Sequence, residues 1–380
     1  MERTVVLHLM NNFEDASISR IVYQLVRHIG VDNFDWHIGG LNSNGQMTEV
    51  YQHQGAKIAD FSPETSNGEK TTSRIRDYLK KHQVKIVHTH TPRTLLAAAR
   101  ALHTGDYAGV KHVATKHILS APKDRKWGLI YTLLDRFTLY MPDYLVCVSK
   151  KIRDEITKIP GIDSHYVTLI SNSIDCEYFY KPDLRNSCRS EFSVSPDQVV
   201  IGSSGRLDIV KRYDLLLEGF ATVLERYPAA RLMIVGEGAL RAQLEELSTK
   251  LGIAPAVIFT GYRQDIPRLL AAMDIYIQPS VNEGLSLSIL EAMAAAKPVI
   301  ITDVGGAREI VENGLTGIII PPLSVEAISR SLSQLLEKEE KRTALAEAAK
   351  SYICKEYNIE RMTESYHTLY RSIRGPSHQV

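Results

Sequence analysis

Glu283 and Glu291 lie in the run Ser280-Val-Asn-Glu-Gly-Leu-Ser-Leu-Ser-Ile-Leu-Glu. Before it comes the apolar segment Asp274-Ile-Tyr-Ile-Gln, and after it an Ala/Met-rich stretch that stops at Pro298. The pattern is a strand feeding the first turn of a helix. Unpaired backbone N–H groups and the helix dipole attract an anion there. Gly284 lets the backbone approach a ligand closely. The two carboxylates can each accept hydrogen bonds from paired hydroxyls on one extended ligand. Read singly, Glu283 is more simply a capping acid and Glu291 part of a solvated helix face.

A second group is Gly205-Arg206-Leu-Asp-Ile-Val-Lys211, following the apolar run Val199-Val-Ile-Gly-Ser-Ser. Its glycine marks a turn at the carboxyl end of a strand, where ligands of α/β sheets sit. The planar fork of Arg206 and the mobile ammonium of Lys211 together suit a diphosphate. The alternative is a pair of surface cations beside a tight turn. Two further turns, at Gly236 and at Gly261-Tyr262-Arg263, fall after apolar runs at the same sheet edge. Each serves ligand contact or helix–strand packing equally well.

The elements that carry these residues alternate in a regular way. Strand patterns occur at Thr4–Leu9, Asp35–Gly39, Ile86–His88, His112–Thr115, Tyr144–Val148 and Val167–Ile170. They restart at Val199–Ser203, Arg231–Val235, Ala256–Phe259, Asp274–Gln278, Val299–Thr302 and Gly317–Ile320. Amphipathic stretches such as Ser17–Ile29, Tyr213–Arg226 and Ala239–Leu251 separate them. Apolar strands alternating with helices predict buried parallel sheets, and two series predict two doubly wound α/β domains. Residues 177–196 are polar and without period, which predicts a linker. The expected division is 1–176, the linker 177–196, 197–356, and a helical tail 357–380 that returns to the first domain.

Composition narrows the class. The 380 residues carry a net charge of +1, so the whole-molecule field gives no sign of a nucleic-acid partner. None of Cys147, Cys176, Cys188 and Cys354 forms a C-x-x-C pair, and all four are read as unpaired thiols of a reducing compartment. The N-terminus turns polar too early for a signal peptide, and no apolar run has the ~20 residues of a membrane helix. These features predict a cytoplasmic protein, either free or peripheral on the inner face of a membrane.

Taken in order, GRLxxxK, VGEG, FxGYR and EGLSLSILEAMAxxKPVIxTDVGGxxEIV resemble the retaining family-4 glycosyltransferases of GT-B fold. The resemblance is dense from Val199 to Pro322 and looser through the first half. It implies two Rossmann-like domains facing a cleft, the first on the acceptor side and the second binding the nucleotide-sugar. It gives Arg206 and Lys211 the donor pyrophosphate, Glu291 the ribose hydroxyls and Glu283 the transferred sugar. Gly205 and Gly236 border the donor, while Gly284, Leu285 and Ser286 face sugar hydroxyls or phosphate. Tyr262 and Arg263 resemble the loop that meets the base through its backbone. His90, in Ile86-Val-His-Thr-His-Thr-Pro, resembles the histidine near the donor sugar, and His88 packs beneath it. Thr115-Lys116-His117 resembles the next strand end, close to the acceptor. Cys147-Val-Ser149 and Ser171-Asn172-Ser173-Ile-Asp175 resemble later cleft-facing turns. Two departures stand out. The first loop, Asn11-Asn-Phe-Glu-Asp-Ala-Ser17, lacks the family's glycines and carries two acids, and Asn172-Ser173 replaces an Asn-Gly turn.

The expected activity is transfer of a sugar, with retention, from a nucleotide-diphosphate sugar (UDP favoured) to a glycan or lipid-linked acceptor. Arg206, Lys211, Glu283 and His90 are the catalytic candidates. No Asp-x-Asp occurs. Neither a metal nor another cofactor is therefore expected, the fixed cations taking up the leaving charge. The rival readings are a nucleotide-sugar epimerase on the same fold and a non-catalytic nucleotide-sugar-binding subunit. The stretch Lys123-Asp-Arg125-Lys126-Trp127, followed by Leu129–Tyr140, suits an anionic membrane surface, while its pattern alone favours a core helix flanked by solvated cations.

Overall fold

The computed structural model describes residues 3–14, 17–42, 45–62, 68–103, 107, 109–118 and 135–373. The chain forms two compact units. Unit 1 comprises Met1–Asn172 with Ile359–Val380, and unit 2 comprises Ser173–Asn358. The basic stretch 123–127 and residues 129–134 lie outside the described residues.

Unit 1 holds β1 (Thr4–Met10), β2 (Phe34–Gly40), β3 (Lys57–Asp60), β4 (Ile86–Thr89), β5 (Lys111–Lys116), β6 (Tyr144–Cys147) and β7 (Val167–Leu169). They form one sheet in the order β3-β2-β1-β4-β5-β6-β7. Unit 2 holds β8 (Val200–Ser204), β9 (Arg231–Val235), β10 (Val257–Gly261), β11 (Ile275–Gln278), β12 (Val299–Thr302) and β13 (Ile318–Ile320). Their order is β10-β9-β8-β11-β12-β13. Every strand pair in both sheets is parallel. Parallel pairing needs a crossover helix over each face, so central strands are covered on both sides. All residues of β8, β11 and β12 are accordingly buried. Each sheet reverses its direction of growth once, beside β1 in unit 1 and beside β8 in unit 2. Such a reversal leaves a crevice at the carboxyl ends of the two strands that part there.

One strand has no counterpart in the sequence patterns. Lys-Ile-Ala-Asp forms β3 at the sheet edge, where Lys57 and Asp60 stay exposed and only Ala59 is buried. An edge strand needs no apolar run, so its sequence looks like a loop.

Residues 177–196 fold into unit 2. Helices Cys176–Phe179 and Arg185–Glu191 form there. Asp274, at the amino end of β11, holds the second of them. Its carboxylate accepts from Arg185 Nη2 at 2.6 Å, Arg189 Nη2 at 2.5 Å and the Val200 amide at 2.7 Å. Polar residues bound to one carboxylate show no hydrophobic period, which is why the segment looks unstructured in sequence. The cysteine reading is also corrected, because Cys176 and Cys354 are joined by a disulfide across 178 residues. No local spacing announces so distant a pair, and the inference of a reducing compartment loses its premise. Cys147 and Cys188 remain buried thiols.

The last helix, Ile359–Ile373, belongs to unit 1 and packs on the helix Ser17–Ile29. It buries Met362, Tyr366 and Tyr370. Among the described residues, no helix is long and apolar enough to cross a membrane.

Candidate active site

In unit 2 the loops after β8 and β11 meet at the point of reversal. The Val281 amide donates to Val210 O at 2.9 Å, tying the two loops together. Lys211 Nζ then lies 2.7 Å from Glu283 Oε1, with each side chain 17% exposed. Gln278, the last residue of β11, steadies the pair. Its Nε2 donates to Glu283 Oε1 at 2.6 Å and to Ser286 Oγ at 3.0 Å. Ser286 caps the helix Leu287–Ala294 without a side-chain cap bond, so that helix presents its first amides uncapped.

Glycines bring the backbone together here. Gly305 has φ +56°, and a Cβ on it would lie 2.0 Å from Glu283 O. Gly306 N donates to Gly284 O at 2.8 Å. The loop after β12 therefore props the Glu283-Gly284 turn from below. Gly236 has φ +137°, and its Cβ would meet Gly205 O at 2.1 Å. That contact brings the ends of β8 and β9 together, which is the packing role for Gly236.

Glu291 is 3% exposed, so it is no solvated helix face. It lies near Tyr276, whose hydroxyl sits 2.9 Å from Ser204 Oγ. Burial foremost, with the Glu291 charge adding, pushes the Tyr276 phenol up against the opposing bond to Ser204. Arg206 is largely exposed and turned onto Asp208 at 2.8 Å. Arg263 is occupied otherwise. It pairs with Glu191 and Asp265, each at 2.7 Å, and so braces the segment 185–191. The structure thus brings Lys211, Glu283, Gly284, Ser286 and the β8 turn to one place and gives the Arg263 side chain a structural task. Gln278 and Gly305 were missed in sequence, although a polar residue ending a buried apolar strand is itself a signal.

In unit 1 the histidines of three strands meet. His8 Nδ1 lies 2.9 Å from His90 Nε2, and His90 Nδ1 lies 3.2 Å from His117 Nε2. His88 Nδ1 lies 2.6 Å from Tyr370 Oη, and His88 Nε2 lies 2.7 Å from Thr115 Oγ1. The Tyr370 hydroxyl is also 3.4 Å from His8 Nε2, and Thr115 Oγ1 is 3.1 Å from Tyr366 Oη. His88 is fully buried and His90 is 3% exposed, with both ring nitrogens of each engaged. Ligand atoms of His8, His88 and His90 lie within 4.8 Å of one another, but these bonds already hold the nitrogens of a would-be metal set. Of the other family-like turns, Cys147-Val-Ser149 serves the backbone. Ser149 caps the helix Lys150–Thr157 by accepting from Ile152 N at 3.2 Å. In the glycine-free first loop, Asn11 Oδ1 accepts from Thr91 Oγ1 at 2.9 Å, and Phe13 is fully buried.

Burial lowers His8 to about 3 and His117 to about 4, and it holds His88 and His90 well below the usual value. His112 is lowered to about 4, again mainly by burial. Unfolded histidines take up protons below pH ~6.5 while these stay neutral in the fold. Each therefore removes ~1.4 kcal/mol of stability per pH unit between ~6.5 and its folded value. All thirteen histidines lie outside Ser173–Asn358, as do both tryptophans. Acid is expected to unfold unit 1 first, read as exposure of Trp36 between pH 6 and 4. An emission maximum unchanged down to pH 4 would contradict the burial of these rings.

Residues 18–178 match the family model "Glycosyltransferase Family 4", and residues 186–352 match "Glycosyl transferases group 1". An Escherichia coli UDP-Gal:α-D-GlcNAc-diphosphoundecaprenol α-1,3-galactosyltransferase is 25% identical over 299 residues, covering 77% of this chain and 76% of its own. The N-acetyl-α-D-glucosaminyl L-malate synthase of Bacillus anthracis is 25% identical over 305 residues, covering 79% and 78%. Among solved structures, Anabaena HepE in complex with UDP-glucose superposes with a TM-score of 0.85 at 19% identity, covering 97% of this chain and 100% of that one. At that identity the likeness is one of fold.

Proposed function

Because this chain belongs to the family-4 glycosyltransferases, its two halves matching the family's two models, we propose that it moves a sugar from a UDP-sugar, with retention, onto a glycan or lipid-linked acceptor. The observation that carries this is the Lys211–Glu283 pair at the reversal of the unit 2 sheet, steadied by Gln278. Breaking the anomeric C–O bond leaves positive charge on the sugar and negative charge on the departing diphosphate. Lys211, the amides after Ser286 and the long arm of Arg206 take up the negative charge. Glu283, released from Lys211 by the incoming phosphate, faces the sugar, and Glu291 takes the ribose hydroxyls. The leaving phosphate then accepts the acceptor proton on the same face, which retains the anomeric configuration. These cations carry the reaction without a divalent metal.

Uridine is favoured because HepE is seen with UDP-glucose and the E. coli relative uses UDP-Gal. A lipid-linked acceptor is supported by that relative's diphosphoundecaprenol substrate. Polysaccharide or glycolipid synthesis at the inner membrane surface is the setting that fits. Thermal shift against UDP, GDP and ADP tests the donor. A ligand at about 100 times its Kd adds ~2.7 kcal/mol, so UDP is expected to raise Tm and the others less. Transfer from the UDP-sugar is expected to survive EDTA. No shift with any nucleotide would overturn the donor site, and Mg²⁺-restored loss in EDTA would overturn metal independence. Product analysis with donor alone excludes an epimerase if the sugar is unchanged.

A further inference from the structure

We propose that His117 is the outward end of a tautomer relay, and that His90, His8 and Tyr370 are positioning residues which make its Nδ1 a hydrogen-bond acceptor for a substrate hydroxyl. The inference rests on the glycosyltransferase reading for the identity of the substrate. Its structural half stands on geometry alone.

The bonds described above form one continuous path: His117, His90, His8, Tyr370, His88, Thr115, Tyr366. A neutral imidazole has one N–H donor and one bare acceptor. Along the branch His117, His90, His8, assigning one ring fixes the other two, so only two assignments satisfy those bonds, and they run in opposite directions.

The Tyr370 hydroxyl decides between them, because it has one proton and two ring neighbours. It lies 2.6 Å from His88 Nδ1 and 3.4 Å from His8 Nε2. O–H donors make short bonds and N–H donors longer ones, so the phenol proton goes to His88. His8 Nε2 then carries a hydrogen that faces the Tyr370 oxygen, and His8 Nδ1 is bare. His90 Nε2–H donates to His8 Nδ1, which leaves His90 Nδ1 bare. His117 Nε2–H donates to His90 Nδ1. At the other end, His88 Nε2–H donates to Thr115 Oγ1, whose hydroxyl donates to Tyr366.

His117 Nδ1 is therefore a lone pair. Among the described residues it has no hydrogen-bond partner, and His117 is partly exposed where His90 is buried. A lone pair there recognises a hydroxyl that donates, such as that of a sugar or a polyol, and rejects an anion. The charges felt by His8, His88, His90 and His117 come from one another, from His112 and from Lys116. No carboxylate among the described residues stands by to stabilise an imidazolium in this stack.

Ring ¹⁵N spectra of histidine-labelled full-length protein test the relay, with His117 assigned by its loss in H117N. The expected wild-type result is a single Nε2–H tautomer for His117. Tyr370→Phe removes the hydroxyl that sets the direction, so His117 is expected to become a tautomer mixture. An Nδ1–H tautomer in wild type overturns the proposal, as does a His117 unchanged in a folded Y370F. Should Y370F not fold, the wild-type tautomer still decides. Kinetics give a second readout. Asn places its amide oxygen near the Nδ1 position, whereas Gln places it near Nε2. H117Q is expected to lower kcat/KM by about tenfold, the size of one hydrogen bond, and H117N by less. Equal losses overturn the Nδ1 assignment. A wild type that transfers no sugar overturns the function reading instead, and the spectra still test the relay.

Discussion

Lys211→Ala is expected to lower kcat/KM for transfer by roughly 10²–10³, the usual loss when one preorganised donor facing transition-state charge is removed. Lys211 is not a loose surface cation. It is 17% exposed and held 2.7 Å from Glu283. In the free enzyme its charge is answered by that carboxylate, and in the donor complex by the diphosphate that displaces it. As the anomeric bond breaks, the negative charge on the diphosphate grows, and the ammonium moves little to meet it. The loss should therefore fall mainly on kcat. Lys211→Arg is expected to restore little, because a planar fork does not replace a compact ammonium in the Glu283–Gln278 cradle. Arg206→Ala serves as the comparison, since Arg206 is exposed and must be recruited to the ligand. Steady-state kinetics with a UDP-sugar decide it. A Lys211→Ala enzyme within threefold of wild type would remove the lysine from the chemistry.

Asp274→Ala is expected to destabilise unit 2 by ~3–5 kcal/mol, the range for breaking a buried ion pair from one side. Asp274 is the one carboxylate shared by Arg185 and Arg189, and the Arg189 side chain is 4% exposed. Lys297 feels the same charges, and burial lowers it to about 8. Without Asp274, Arg185, Arg189 and Lys297 lose the carboxylate that answers their charge, and the Val200 amide at the start of β8 loses its partner. At ~2–4 °C per kcal/mol for a unit of this size, Tm should fall by roughly 10 °C. Calorimetry measures this directly. A fall under 2 °C would show that water reaches the cluster and screens it.

How much of this was legible in the sequence varied with the physics of each element. The central strands are apolar because crossover helices cover both faces, and their patterns lie within a residue or two of the observed bounds. The edge strand β3 and the helix Arg185–Glu191 are not apolar, so periodicity passes over them. Lys211 and Glu283 are each visible through neighbours that mark strand ends. Their pairing is not, since it depends on which strands flank the reversal. His8 is the clearest omission. Inside Val-Val-Leu-His-Leu-Met it looks like one polar residue in a buried strand, and its partners stand 82 and 362 positions away. The disulfide is hidden for the same reason. Local pattern reports what a residue does for its own element and little about who meets it across the fold.

The return of the last helix to unit 1 sets an order of events during synthesis. Unit 2 is one uninterrupted stretch and can close as soon as Asn358 has left the ribosome. Unit 1 cannot, although its seventh strand ended at Leu169. At ~5–20 residues per second, its sheet waits roughly 10–40 s for the helix that completes it. Throughout that interval the helix Ser17–Ile29 lacks the helix that packs on it, and His88 lacks Tyr370. The half of the molecule made first is the half finished last.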